Sequence, residues 1–300
     1  MIQSINSSAD SFLADIDRLQ ARSERAQRQL TSGLRVAVPS DDPDQVGAIV
    51  QLGSSLAHII QIGHNLDQVK TEVDTGEQVI SATVSTLEKI SVLAAQGANF
   101  TQTATMRADL AKEIQDLFGQ LVAAANTSVG GRYIFSGDAD QAPAYGLNPA
   151  SPTGITPYLG LAPNRRVELP RGGTFPVSQT AQQIFDGGGA ASVFAAVKGL
   201  QAALLANDQA GIEASVGALN SAHDHLGQSL SYYGAIQNEL ESAISDAKTL
   251  STRYSVNLAS LREADLVGAS VDLNQSKLAL DAAFSARARS PRTSLFDFLG

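Results

Sequence analysis

Enzyme chemistry starts from histidines, cysteines, carboxylates and activated hydroxyls. This chain of 300 residues supplies four His, no Cys and 30 Asp and Glu. Without Cys there is no thiolate zinc site, Cys nucleophile or disulfide scaffold; the lack also suits a protein exported into oxidising surroundings. His58 and His64 are six residues apart and do not share a helix face, and no His-Glu-x-x-His run exists. His223 and His225 flank Asp224, but residues two apart on a helix point apart, so they read as a polar helix face. Asp138-Ala139-Asp140 opens like a calcium loop without its glycine and distal Glu, and reads as a turn after Phe135-Ser136-Gly137. Asp41, Asp42 and Asp44 could gather a cation; a helix-start signal already explains them. No phosphate-cradling Gly-x-x-x-x-Gly-Lys loop and no Gly-x-Ser-x-Gly elbow is present. A Ser/His/Asp triad is assembled in space, and nothing in the sequence favours one. The expectation is therefore no catalytic residue, no cofactor and no metal, with an enzyme kept as a remote alternative.

The elements that carry these residues look built for packing. The net charge of −9 argues against a partner of nucleic acid, which needs a basic face. No run reaches eighteen unbroken apolar residues, so no membrane span is expected. Met1-Ile2-Gln3-Ser4-Ile5-Asn6 lacks the basic and apolar regions of a cleaved secretory leader, so export would take another route. Of ten Pro, seven lie between 143 and 176, and eleven of the 25 Gly fall within 130–190. A turn-rich middle thus interrupts two arms that read as long helices.

Heptad spacing dominates those arms. Ile5, Ala9, Phe12, Ile16, Leu19, Ser23, Ala26 and Leu30 alternate steps of four and three. So do Ile62, Leu66, Val69, Val73, Gly76, Ile80, Thr83, Leu87, Ile90, Ala94 and Gly97, a run of roughly 54 Å as a helix. Leu110, Ile114, Leu117, Leu121 and Ala124 follow, and then Leu226, Leu230, Tyr233, Gln237, Leu240, Ile244, Ala247, Ser251, Tyr254, Leu258 and Leu261. After a phase shift near Asp265–Gly268 the series resumes with Ala269, Leu273, Ser276, Leu280 and Ala283. The fold class predicted is mainly α, an elongated coiled-coil-like helical rod made by N- and C-terminal arms, with a small inserted β-rich domain.

Gly33 is placed as a helix-ending residue, Asp42 as an N-cap and Pro43 as the first helical residue. Arg166–Leu169 and Thr174–Val177 read as strands around a turn at 170–173, and Gly187–Gly189 as a joint. Five segments follow: 1–44 assembly helix and turn, 45–136 and 191–264 helical rod, 137–190 β-rich outer domain, 265–300 C-terminal assembly helix. The terminal helices carry stripes too thin to be buried alone, with Phe12, Phe284, Phe296 and Phe298 among them. Two readings stay open: an intramolecular bundle with frayed ends, or ends covered by neighbouring copies. The second makes Ile5, Phe12, Ile16, Leu19, Leu30, Leu273, Leu280, Phe284, Leu295, Phe298 and Leu299 an assembly interface.

Certain runs resemble a known family. Leu30-Thr31-Ser32-Gly33-Leu34-Arg35-Val36, the stretch Leu87–Asn99, and Arg262-Glu263-Ala264-Asp265-Leu266 with the ending Ser294–Leu299 are similar to bacterial flagellins. Pro39-Ser40-Asp41-Asp42-Pro43 and Gly131–Gly137 with Pro143 and Tyr145 resemble the family's hook–filament junction branch rather than its filament branch. The resemblance implies a non-enzymatic structural subunit of the extracellular flagellum, self-assembling through its terminal helices. It implies tube neighbours, hook-associated protein 1 and flagellin, and unfolded type III export with a flagellar export chaperone on the C-terminal arm. Filament flagellin is the alternative within the family, and a secreted coiled-coil adhesin or interaction module the distant one.

Overall fold

The computed structural model describes residues 2–162, 165–187 and 191–289, with side chains from residue 10 onward. Three helices come first: α1 (Ile2–Ser32), α2 (Pro43–Gly97) and α3 (Ala104–Ala125). Four short strands follow, β1 (Ser128–Val129), β2 (Arg132–Tyr133), β3 (Arg166–Glu168) and β4 (Thr174–Pro176). The chain then returns to helix as α4 (Ala181–Phe185), α5 (Val193–Leu205), α6 (Gln209–Arg262) and α7 (Leu266–Arg289). The fold is mainly α. It resolves into two compact units, one from the chain ends up to His58 and from Ser251, the other from Ile59 to Leu250.

In the central unit α2 and α6 form one antiparallel seam. Gly63 faces Ala247, Gly76 lies under the ring of Tyr233, and Asp74 accepts from Gln237 Nε2 at 3.0 Å. Lys70 lies 3.5 Å from Glu241, and His223 lies 3.7 Å from Glu88. Residue numbers fall along α6 as they rise along α2, so the register never slips. All eleven heptad positions from Ile62 to Gly97 are buried. On α6 the expected Leu226, Tyr233, Leu240 and Ala247 are buried, but Leu230, Gln237 and Ile244 are only partly so. Ser229, Ile236 and Ala243 take those seats. Apolarity alone selects the larger side chain. The glycine-bearing face of α2 brings the helices close, and close approach selects mostly small ones.

The phase of α3 also differs from expectation. Leu110, Leu117 and Ala124 are half-exposed, while Ala111, Ile114, Phe118, Leu121, Val122 and Ala125 are buried. Phe118 sets this rotation: its ring meets Phe194 of α5 edge-on at 6.0 Å. Caps fix the helix starts. Thr103 accepts from Met106 N, Ser192 from Ala195 N, and Thr180 and Gln183 form a reciprocal capping box on α4.

The middle segment holds the expected hairpin, β3 paired antiparallel to β4 with Val167 opposite Phe175. Gly172 and Gly173 take positive φ at its turn, where a Cβ would be strained. The joint expected at Gly187–Gly189 falls largely on residues outside those described. Rings root this segment in the helices: Tyr158, Tyr145, Phe194, Phe185, Phe135 and Tyr233 touch in sequence, with centroids 5.2–6.4 Å apart. Each such pair contributes about 0.5–1.5 kcal/mol beyond its burial. Arg107, buried on α3, ties two turns together. Its Nε donates to Gly97 O at the end of α2 (2.9 Å), and its guanidinium also donates to Asn207 Oδ1 (2.7 Å) and to Gln209.

Two outcomes follow from Tyr233. A Cβ at Gly76 would sit 2.6 Å from the Tyr233 ring, so Gly76→Val should destabilise the central unit by about 1–3 kcal/mol, read as a lowered midpoint in thermal circular dichroism. Burial raises the Tyr233 phenol above its ordinary range. The folded state therefore keeps a proton that the unfolded chain releases near pH 10. Stability should be full below pH 10 and decline as pH rises above it, with a shallower decline in Tyr233→Phe.

Candidate functional site

The terminal unit combines two turns with a helix pair. Gly33 ends α1 at φ +70°, and its amide donates to Gln29 O at 2.8 Å. The chain then crosses to the turn between α6 and α7. Arg35 N donates to Arg262 O (2.8 Å), Ala264 N to Gly33 O (3.0 Å), and Leu34 bridges Glu263. The Arg35 guanidinium closes this latch. It donates to Leu261 O at the α6 C-terminus (2.7 Å), to Asp42 Oδ2 (2.9 Å) and to Gln45 Oε1 (3.0 Å). A cation beside the last carbonyls of a helix also complements its dipole.

Helix α2 begins at Pro43, as its sequence predicts. Asp42 departs from its expected role, because its carboxylate takes Arg35 instead of capping the helix with its side chain. Asp41 Oδ2 accepts the amides of Ala37 and Val38, both at 3.0 Å. Those bonds, Val38 first, hold the Asp41 carboxyl below the usual range. The acidic cluster thus serves the turn. Elsewhere Asp140 pairs with Arg132, and its carboxyl is lowered first by the Gln141 amide and then by Arg132. His225 Nε2 lies 2.7 Å from Gln183 O while His223 faces Glu88. Among the described residues no three His, Cys, Asp or Glu gather as a metal site.

Beyond the latch, α1 packs along α7. Ile16 and Ala26 are buried from α1, Ala269 and Ser276 from α7. Arg22 pairs with Asp272 at 2.6 Å, and the Arg287 guanidinium lies 5.5 Å from the Phe12 ring centre. Phe12, Leu19, Leu30, Leu273 and Leu280 are half-buried along this pair, and Phe284 is exposed. Ile5 lies on α1 without a described side chain; Leu295, Phe298 and Leu299 fall outside the described residues. Of the expected interface residues with described side chains, Ile16 alone is fully buried, and Phe284 stays open to solvent.

A second stripe on α7 escaped the sequence reading. Val267, Val271 and Leu278 are 75%, 48% and 72% exposed. With Asn274 they step by four, three and four, on the face opposite Ala269 and Ser276. The signal is a second heptad phase in the sequence, overlaid on the Ala269–Ala283 series. Leu13, Val38, Val50, Val256 and Leu266 are also exposed in this unit. Its buried apolar residues, among those described, are only Ile16, Ala26, Val36 and Ala269. Helix α2 includes a window of mean hydropathy 1.4 that would suit a bilayer by length and composition. Gln51, Ser54, Ser55, His58 and Gln61 interrupt its apolar residues, a pattern better matched to contact with other helices.

Comparison with known proteins places this arrangement. Residues 4–140 match the bacterial flagellin N-terminal helical region, so the resemblance carried by Leu30–Val36 and Leu87–Asn99 is shown. Flagellar hook-associated protein 3 of Escherichia coli K12 is 27% identical over 251 residues, covering 78% of this chain and 77% of that protein. A solved structure described as a flagellar hook-associated protein of Vibrio parahaemolyticus superposes with a TM-score of 0.66 at 22% identity, over 74% of this chain and 100% of that one. Flagellar hook-associated protein 3 of Legionella pneumophila gives 0.63 at 16% identity, over 71% and 98%. Both share the mainly α fold.

Arg35→Ala should loosen the latch. Loss of three charge-assisted bonds from a partly exposed guanidinium should cost about 1–2 kcal/mol. Amide exchange at residues 33–36 and 262–264 should accelerate while exchange along 62–94 stays unchanged.

Proposed function

We propose, taking as premise the flagellin-type N-terminal region in residues 4–140, that this chain is a structural subunit of the bacterial flagellum. It joins hook to filament by helical self-assembly. The matched relatives named flagellar hook-associated protein 3 support the junction position. The observation that carries the assembly reading is the outward stripe Val267, Val271 and Leu278 on a helix whose opposite face already has α1. A two-helix pair cannot cover both faces of α7, and apolar faces left open at this length mark interaction surfaces.

In this reading residues 1–44 and 265–300 are the assembly segments, 45–136 and 191–264 the helical arms, and 137–190 a small module rooted on them. Ile5, Phe12, Ile16, Leu19, Leu30, Leu273, Leu280, Phe284, Leu295, Phe298 and Leu299 are the assembly interface, joined by the α7 stripe that meets neighbouring copies. Hook-associated protein 1 and flagellin are the tube neighbours. An export chaperone holds the C-terminal arm before passage out of the cell. The work is mechanical fit, with no reaction catalysed.

A strain lacking the gene should build hooks and shed filament monomer into the medium; normal attached filaments in that strain would refute the flagellar reading. Purified protein that forms long filaments unaided would reassign it as filament flagellin. Val267→Asp and Leu278→Asp should leave monomer helicity intact and yield exported protein that does not incorporate, because assembly would dehydrate an unpaired charge. Leu280→Asp should instead lower monomer helicity by parting α1 from α7.

A further inference from the structure

We propose that the arginine face of α1 docks on the acidic face of α3 in a second copy of this chain. This contact rests on the self-assembly reading above and supplies it with a specific pair of surfaces. On α1, Arg18, Arg22 and Arg25 are exposed at spacing i, i+4, i+7; Arg18 and Arg25 lie clear of the line of Ile16, Leu19 and Ala26 that packs toward α7, and Arg22 sits at its edge, where it reaches Asp272. On α3, Asp109, Glu113 and Asp116 repeat the same spacing, opposite the buried Ala111, Ile114 and Phe118. Both triplets extend over about 10 Å of helix. A parallel alignment sets Arg18 against Asp109, Arg22 against Glu113 and Arg25 against Asp116.

Each face opposes itself in a single copy, since like charges one turn apart repel. Compensation within the chain is partial. Arg18 pairs with Asp15 at 3.0 Å, Arg22 with Asp272 at 2.6 Å, and Asp109 with Lys112 at 2.9 Å. Glu113 and Asp116 have no hydrogen bond or ion pair among the described residues, and Arg25 has none beyond the electrostatic pull it exerts on Asp41. The neighbouring side chains fit a close approach. Ala14 and Ala21 lie exposed beside the arginines, and Met106, 53% exposed, with half-buried Leu117 beside the acids.

A second copy is the occupant because the two faces are unlike. A contact between unlike surfaces is heterologous, and when it does not close on itself it propagates as a helical array. That is the symmetry a tube subunit needs, and no symmetric dimer supplies it.

The absence of cysteine makes the test clean. Full-length Arg25→Cys and Asp116→Cys proteins are mixed under assembling conditions and oxidised. A disulfide heterodimer at least ten times more abundant than either homodimer is expected. It should fall to the homodimer level when the Arg25→Cys protein also carries Arg18→Glu, and return when the Asp116→Cys protein also carries Asp109→Arg. Heterodimer no more abundant than the homodimers overturns the contact. So does an intramolecular disulfide in a chain bearing both cysteines, which would place the two faces together within one copy. Tubes that assemble normally without the cross-link would sink this contact alone; failure of the gene deletion to shed filament monomer would sink the flagellar reading itself.

Discussion

The antiparallel seam between α2 and α6 is the constraint on which the central unit depends. Helices this long cannot be held by local propensity; an apolar line at the 4–3 spacing must meet another with no slip over many turns. The register is enforced by shape as well as by apolarity. Gly76 receives the Tyr233 ring and Gly63 faces Ala247, so sliding α6 by one heptad would drive a large side chain into a backbone with no room for it. The charges at the rim, Lys70 with Asp74 and Glu241, agree with the same register. Such exposed pairs contribute little stability, about 0–1 kcal/mol each, and their value is in alignment.

Tyr233 links that seam to the middle of the chain. Its ring faces Phe135, and from there contact passes through Phe185 and Phe194 to Tyr145 and Tyr158. A segment with only short strand pairs has too little regular hydrogen bonding to stand alone. Rings planted in α5 and α6 give it a core borrowed from the helices. Residues 137–187 therefore share a compact unit with the helical arms, and the aromatic residues concentrated there are anchors.

What the sequence revealed follows from what periodicity measures. The 62–97 line was legible in full because one face of α2 does one thing. On α6 the same period was legible and the exact column was not: Ser229 and Ala243 are buried for their small size, which no apolarity count rewards. On α3 two apolar lines compete, and only the Phe118–Phe194 contact decides that Ala111 and Phe118 turn inward. Gly33 and Pro43 announced their positions through backbone rules that hold locally. Arg35 and Arg107 did not, because each acts on carbonyls distant in sequence or across a turn, at Leu261 and Gly97. On α7 the inward stripe was legible and the outward one was masked by it, although the second matters more to an assembling subunit.

A monomer with open apolar lines must also remain soluble until it is placed. The formal charge of −9 supplies part of the answer, since like-charged copies repel at a distance. The repulsion is unevenly distributed. Arg18, Arg22, Arg25 and Arg28 line one side of α1 beside its own Asp15, Asp17 and Glu24, and Asp109, Glu113 and Asp116 line the outer side of α3. Copies meeting with the wrong faces feel like charge against like charge, whereas α1 meeting α3 feels attraction. Screening confines this discrimination to about 8 Å at physiological ionic strength, so it acts only once two copies nearly touch. Orientation is then chosen by the charges, and the apolar line of Val267, Val271 and Leu278 supplies the adhesion that charge at an exposed surface cannot.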